Sequence, residues 1–291
     1  MLRRDGRSWW ATLGRGPRVW LAVFSAVALG MTVLSNLAVG NAATPSEPGW
    51  LAVLAAWVVS PLAAVTGVVC VVLCARGHVA TWWWGLVNSV LYGAVAWVSG
   101  YYGDWLLNWF FFVPTQVAIL VAWRGRLDAD GIARMRRLGA VRSVAVAAAC
   151  IISIATLTVA LVAVDSWFAR ALARGATAYG ALERLTGMAA AGPALDATTT
   201  VLQIAAEILL IGRYAEQWIL WIVVNAVSIV MWTALLAADP TTAPWSAPAL
   251  AMWLAFLANS VYGALSWYRG SRGRRQIRLA RATDTDYTFP E

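Results

Sequence analysis

Residues 216–232 read EQWILWIVVNAVSIVMW. The run is apolar enough to lie in a bilayer, yet it carries Trp218, Trp221, Asn225, Ser228 and Trp232. At 3.6 residues per turn these five positions fall on a single helix face. A carboxamide inside a membrane needs a hydrogen-bond partner, and polar groups at that depth face a bundle interior or a water-filled cavity. The stretch therefore predicts one helix of a polytopic membrane protein, with a polar stripe that lines something.

The rest of the chain agrees. Hydrophobic residues make up 61% of the 291 and charged residues 12%, a balance that would expose more apolar surface than water tolerates. Eight segments have the length of a spanning helix, about 20 apolar residues: 18–39, 50–74, 80–99, 104–123, 143–165, 196–212, 217–237 and 247–268. All 22 basic residues are Arg. Nineteen of them precede the first span or follow the second, fourth, sixth and eighth, and only Arg170, Arg174 and Arg184 fall on the other side. The positive-inside rule then puts both termini in the cytoplasm. The opening arginines, apolar run and VGNAA (39–43) also have the form of a signal peptide. The run is longer than a usual signal core, which favours a retained helix. Segments 124–142, 166–195 and 269–291 read as loops or tails, the last disordered beyond its basic start.

Setting residues 73–97 beside 210–232 pairs Arg76 with Arg213, Trp84 with Trp221 and Asn88 with Asn225, each pair 137 residues apart. Each block is a helix, a short Arg-bearing loop and a helix with Trp-x-x-x-Asn, followed by a third helix ending near Trp123 or Trp267. One span, 143–165, separates the triplets, so both begin on the same side, as parallel repeats do. The expected fold is all-α, a 3+1+3 parallel repeat of three-helix bundles with an extra N-terminal helix. Its parts are a basic segment and added helix (1–49), a first repeat (50–123), a basic inner loop, linker helix and outer loop (124–195), a second repeat (196–268) and a basic tail (269–291).

Cys70, Cys74 and Cys150 lie in apolar runs, and His78 is the sole histidine. That inventory excludes His-based metal sites and Ser–His triads, so neither a metal nor a cofactor is expected. An intramembrane enzyme or a receptor is the remote alternative; the enzyme would need a nucleophile–base pair or metal ligands. What remains is the stripe. Trp84 and Asn88 stand on the third span, Asn108 and Gln116 on the fourth, and Asn259 and Tyr262 on the eighth. A lone Asn is as readily glue between helices, and a Trp at a span end is more often a belt anchor. Amides on this many spans favour a lined cavity. Indoles with amides suit a flat heterocycle bearing hydroxyls, and a cationic ring adds about 0.5–2 kcal/mol of cation–π attraction. Glu207 is the one acid read within a span. It is a partner for a cationic substrate, a proton site, or an ion-pair partner of Arg213.

GVVCVVLCARG (67–77), WWWGLVNSVLYG (82–93), LLNWFFFVPTQ (106–116) and the opening stretch resemble the PnuC family of bacterial vitamin transporters. Trp218-x-x-Trp221-x-x-x-Asn225 has the form of that family's motif, and the resemblance runs over roughly 62–268. It implies uptake of nicotinamide riboside across the inner membrane by facilitated diffusion, with trapping by cytoplasmic phosphorylation. It implies a plan shared with SWEET sugar transporters, homotrimers, and a site lined by Trp218, Trp221, Asn225, Gln116 and Asn88. Relatives of the same build go with thiamine, riboflavin or deoxynucleosides, and the motif does not choose among them. The partners implied are a small molecule and the lipid bilayer, with no nucleic acid. The long loop 166–195 has no rationale in that resemblance.

Overall fold

A computed structural model describes residues 9–39, 53–123, 125–127, 133–172 and 178–284. The VGNAA run after Val39, residues 50–52 of the second expected span and the end of the tail lie outside the described residues. The fold is helical: α1 (Arg15–Val39), α2 (Ser60–Ala75), α3 (Thr81–Ser99), α4 (Tyr102–Trp123), α5 (Ala140–Leu172), α6 (Ala178–Thr186), α7 (Ala191–Ile211), α8 (Gln217–Ala238) and α9 (Ala243–Asp284). Among the described residues, seven helices are long and apolar enough to cross a membrane. Helix α3 is not among them, because its tryptophans, Asn88 and Ser89 lower its hydropathy.

Apolar stripes hold the bundle together. Helix α1 buries Leu21, Phe24 and Ala28 where it packs on α2 and α9. Helix α5 turns Val141, Val144, Ile151, Ile152 and Val159 outward. Helix α9 continues to Asp284, through the expected disordered tail, in a stretch rich in the good helix formers Arg and Ala. In α4, Pro114 lacks an N–H and its ring crowds the carbonyl four residues back. The turn before it loosens into a π-helix, Leu107–Phe112, which carries the buried Asn108.

The same turn occurs twice at one end of the bundle. After α2, Gly77 N–H donates to Cys74 O (2.8 Å) and His78 N–H to Leu73 O (2.9 Å). After α7, Arg213 N–H donates to Leu210 O (2.8 Å) and Tyr214 N–H to Leu209 O (2.8 Å). These turns correspond at a separation of 136 residues, not the 137 that side-chain matching gave. The backbone explains the slip. Gly77 occupies a left-handed slot at φ 69°, and the residue in that slot of the second turn is Arg213, at φ 62°. Ser89 rather than Asn88 is thus the counterpart of Asn225, and Gly85 that of Trp221. A non-glycine residue there is strained and persists only where its surroundings hold it. Arg213 is held on both sides: its Nη1 donates to Arg134 O (2.8 Å), and its carbonyl accepts from Arg136 N–H (2.7 Å).

Segment 133–139 ties the two turns together. Ala133 N–H donates to Gly77 O (2.9 Å), Arg137 pairs with Glu216 (2.7 Å), and Glu216 also accepts from Leu138 N–H (2.9 Å). The Arg-rich turns and loop therefore meet at one end, with the polar stripes rising from it.

Candidate functional site

Between α2, α3, α4, α7, α8 and α9 lies a cavity of ≈ 80 Å³. It has space for several waters, and a flat nucleoside needs its walls to move apart. Seven of the residues predicted from sequence line it: Asn88, Asn108, Gln116, Glu207, Trp218, Trp221 and Asn225. Three predicted residues lie elsewhere. Trp84 packs edge-on against Trp9 at 5.4 Å. Asn259 and Tyr262 line a separate cavity of ≈ 390 Å³ beside Trp20 and Arg76. There Asn259 donates to Val71 O (2.7 Å), the helix-to-helix role of an intramembrane amide.

The polar groups of the cavity are only partly satisfied. Asn225 Nδ2 donates to Ser260 Oγ (2.8 Å), while its Oδ1 is buried without a partner. The Trp218 indole N–H is likewise buried and unpartnered, with the ring set edge-on to Trp267 at 6.1 Å. Trp221 donates to Gln217 Oε1 (3.3 Å), and its ring lies 6.3 Å from Phe112. Asn88 is committed to Ala63 O (2.8 Å). One acceptor and one donor without a protein partner thus belong to residues that line a cavity walled by indoles, and a ligand can supply those partners.

Glu207 supplies a carboxyl group. It accepts from Gln116 Nε2 (3.2 Å) and Thr115 Oγ1 (3.4 Å). Arg213 makes its side-chain bond to Arg134 O instead, so the ion pair with Glu207 considered from sequence does not form. No Arg or Lys lines the cavity among the described residues. Gln116 fits because Gly85 faces it: a Cβ at Gly85 would collide with Gln116 Oε1 and lie 2.8 Å from its Cδ. Gly85→Ala is expected to fold, displace Gln116 from Glu207 and weaken ligand binding about tenfold, as titration calorimetry would read.

Glu207 is not the only acid inside a candidate spanning helix. Helices α4 and α7 begin at Tyr102 and Ala191, earlier than the sequence suggested, so Asp104 and Asp196 both lie inside them and are buried. Two cavity residues, Tyr92 and Gln203, donate to Asp104 (3.0 and 2.9 Å). The indoles of Trp232 and Trp253 in turn donate to the Tyr92 hydroxyl (3.2 and 3.1 Å). Sequence reading missed these groups because each Asp stood at the first residue of an expected span, where an exposed acid is ordinary.

Comparison with known proteins gives this arrangement a context. Residues 57–269 match the family described as nicotinamide mononucleotide transporter. A nicotinamide riboside transporter PnuC of Neisseria mucosa is 32% identical over 211 residues, covering 72% of each chain. Its counterpart in Haemophilus influenzae is 30% identical over 236 residues, covering 77% of this chain and 89% of that one. A crystal structure of the vitamin B3 transporter PnuC superposes with a TM-score of 0.64 at 26% identity, covering 91% of this chain and 97% of that one.

Proposed function

The chain belongs to the nicotinamide mononucleotide transporter family, and we propose that it is a membrane transporter of nicotinamide riboside. Relatives at 30–32% identity carry that substrate in their names. The observation that carries the choice of riboside over mononucleotide is the charge of the cavity. Its acidic wall group is Glu207, and no Arg or Lys stands among its described lining residues. A pyridinium cation gains from that carboxylate and from the indole faces. A phosphate monoester would meet a carboxylate with no counter-charge. The carboxamide and ribose hydroxyls supply the partners that Asn225 Oδ1 and Trp218 Nε1 lack.

Transport on this reading is facilitated diffusion across the bacterial inner membrane, with the riboside trapped afterwards by cytoplasmic phosphorylation. The Arg-rich turns face the cytoplasm, as do both termini. Helix α3 then crosses as an eighth span, its polar face covered by its neighbours. Two parallel three-helix units flank α5 in a 3+1+3 plan, which the recurring turn supports. The outward apolar face of α5 suits lipid and the neighbouring copies of a homotrimer.

Titration calorimetry on the purified protein tests the substrate, with nicotinamide riboside, nicotinamide mononucleotide, thiamine and riboflavin in parallel. The riboside is expected to bind at least about 100-fold more tightly than the mononucleotide, which loses a counter-charge and gains a repulsion. Equal affinity for the two would overturn the reading, and tighter binding of thiamine or riboflavin would reassign the substrate.

A further inference from the structure

At the end of the cavity away from the Arg-bearing turns after α2 and α7, hydrogen bonds run from its walls to the short helix α6. Tyr92 and Gln203 hold the two carboxylate oxygens of Asp104. The backbone N–H groups of Gly103 and Asp104 donate to Asp196 (2.9 and 3.2 Å), joining the start of α4 to α7. The Tyr179 hydroxyl of α6 donates to the same Asp196 oxygen as Gly103. Tyr179 and Leu182 are both buried, and the Tyr179 ring stands edge-on to Tyr102 at 5.9 Å. Helix α7 touches α6 closely here, since a Cβ at Gly192 would lie 2.6 Å from Tyr179 Cα. Among the described residues neither Asp104 nor Asp196 has an ion-pair partner.

Carboxylates removed from water depend on every hydrogen bond they receive. Each donor in this chain therefore stabilises the closed arrangement, and α6 contributes one of them from outside the spanning helices. We propose that Asp104 and Asp196 are positioning residues that close this end of the transport path, and that α6 is the latch holding it shut through Tyr179. When α6 lifts, Asp196 loses the Tyr179 donor and its hold on Gly103 and Asp104 weakens. The start of α4 can then part from α7, carrying Asp104 away from Gln203. A ring reaching Tyr92 or Gln203 competes for the same donors and favours release. The long loop that contains α6 thereby acquires a role in the transport cycle. The inference rests on the transporter reading.

Cys70 lines the cavity and serves as a reporter. The full chain carrying Cys74→Ala and Cys150→Ala is placed in lipid nanodiscs, where a charged methanethiosulfonate reagent reaches both faces. Tyr179→Phe keeps the ring and removes the donor. It is expected to raise the rate of Cys70 labelling about fivefold, the response to losing one hydrogen bond that favours the closed state. Asp196→Asn is expected to shift the rate in the same direction, and it decides the matter alone if Tyr179→Phe does not fold. Labelling rates equal to the parent in the folded variants would overturn the latch. Nicotinamide riboside is included in a parallel series. Its failure to bind the parent protein in the same nanodiscs, read by titration calorimetry, would count against the substrate reading, independently of the latch.

Discussion

Asn225→Leu is expected to leave the protein folded and inserted while lowering nicotinamide riboside affinity by at least about 100-fold. Leucine nearly matches asparagine in shape and keeps the contact between α8 and α9. It leaves Ser260 Oγ without its 2.8 Å donor, a modest cost within the fold. The larger loss falls on the ligand. Asn225 Oδ1 is buried with no partner among the protein's own groups, so a ligand donor that reaches it makes a bond for which no side chain competes. A site built to hydrogen-bond a polar edge discriminates far more sharply than one that merely fits it. Calorimetry and thermal unfolding in the same detergent separate the two effects. Unchanged affinity would reduce the stripe on α8 to helix packing.

The stripe was legible for a physical reason. Trp218, Trp221 and Asn225 share a face at helical spacing, in a setting where a carboxamide cannot be idle. The helices were legible too, since about 20 apolar residues in a row have few other uses. The register between the two turns was not. Pairing Arg76 with Arg213 by identity concealed that Arg213 fills the left-handed slot of Gly77, which shifts every later pair by one residue. On a helix one residue is about 100° of rotation, enough to exchange Ser89 for Asn88 as the counterpart of Asn225. Asp104 and Asp196 were hidden by a second ambiguity. Helix ends are blurred in sequence, and an Asp near a helix N-terminus has an ordinary explanation there. Only the fold brings α4 against α7 and buries both acids. Asn259 illustrates the opposite error, an amide on a plausible face whose partner is a backbone carbonyl of α2. The role of Tyr179 could not be read at all, because its partner lies on a different helix.

Glu207→Gln is expected to separate the ligand's charge from its shape. Glutamine keeps the size of glutamate and can still engage Gln116 and Thr115, which donate to the carboxylate at 3.2 and 3.4 Å. What it removes is the negative charge in a cavity with no Arg or Lys among its described lining residues. At an effective dielectric of about 20 and a separation of about 5 Å, a carboxylate attracts a pyridinium by about 3 kcal/mol. Affinity for nicotinamide riboside should therefore fall by about 100-fold or more. Dihydronicotinamide riboside has nearly the same outline and the same carboxamide and ribose, but its ring is uncharged. Its affinity should change by less than about threefold, the scale of a neutral hydrogen bond exchanged for another. If both ligands weaken equally, Glu207 acts by shaping the cavity through Gln116, and the preference for a cationic ring lies with the indoles of Trp218 and Trp221. If only the cation weakens, the carboxylate is the charge sensor, and the same variant should also narrow the gap between riboside and mononucleotide by lifting a repulsion.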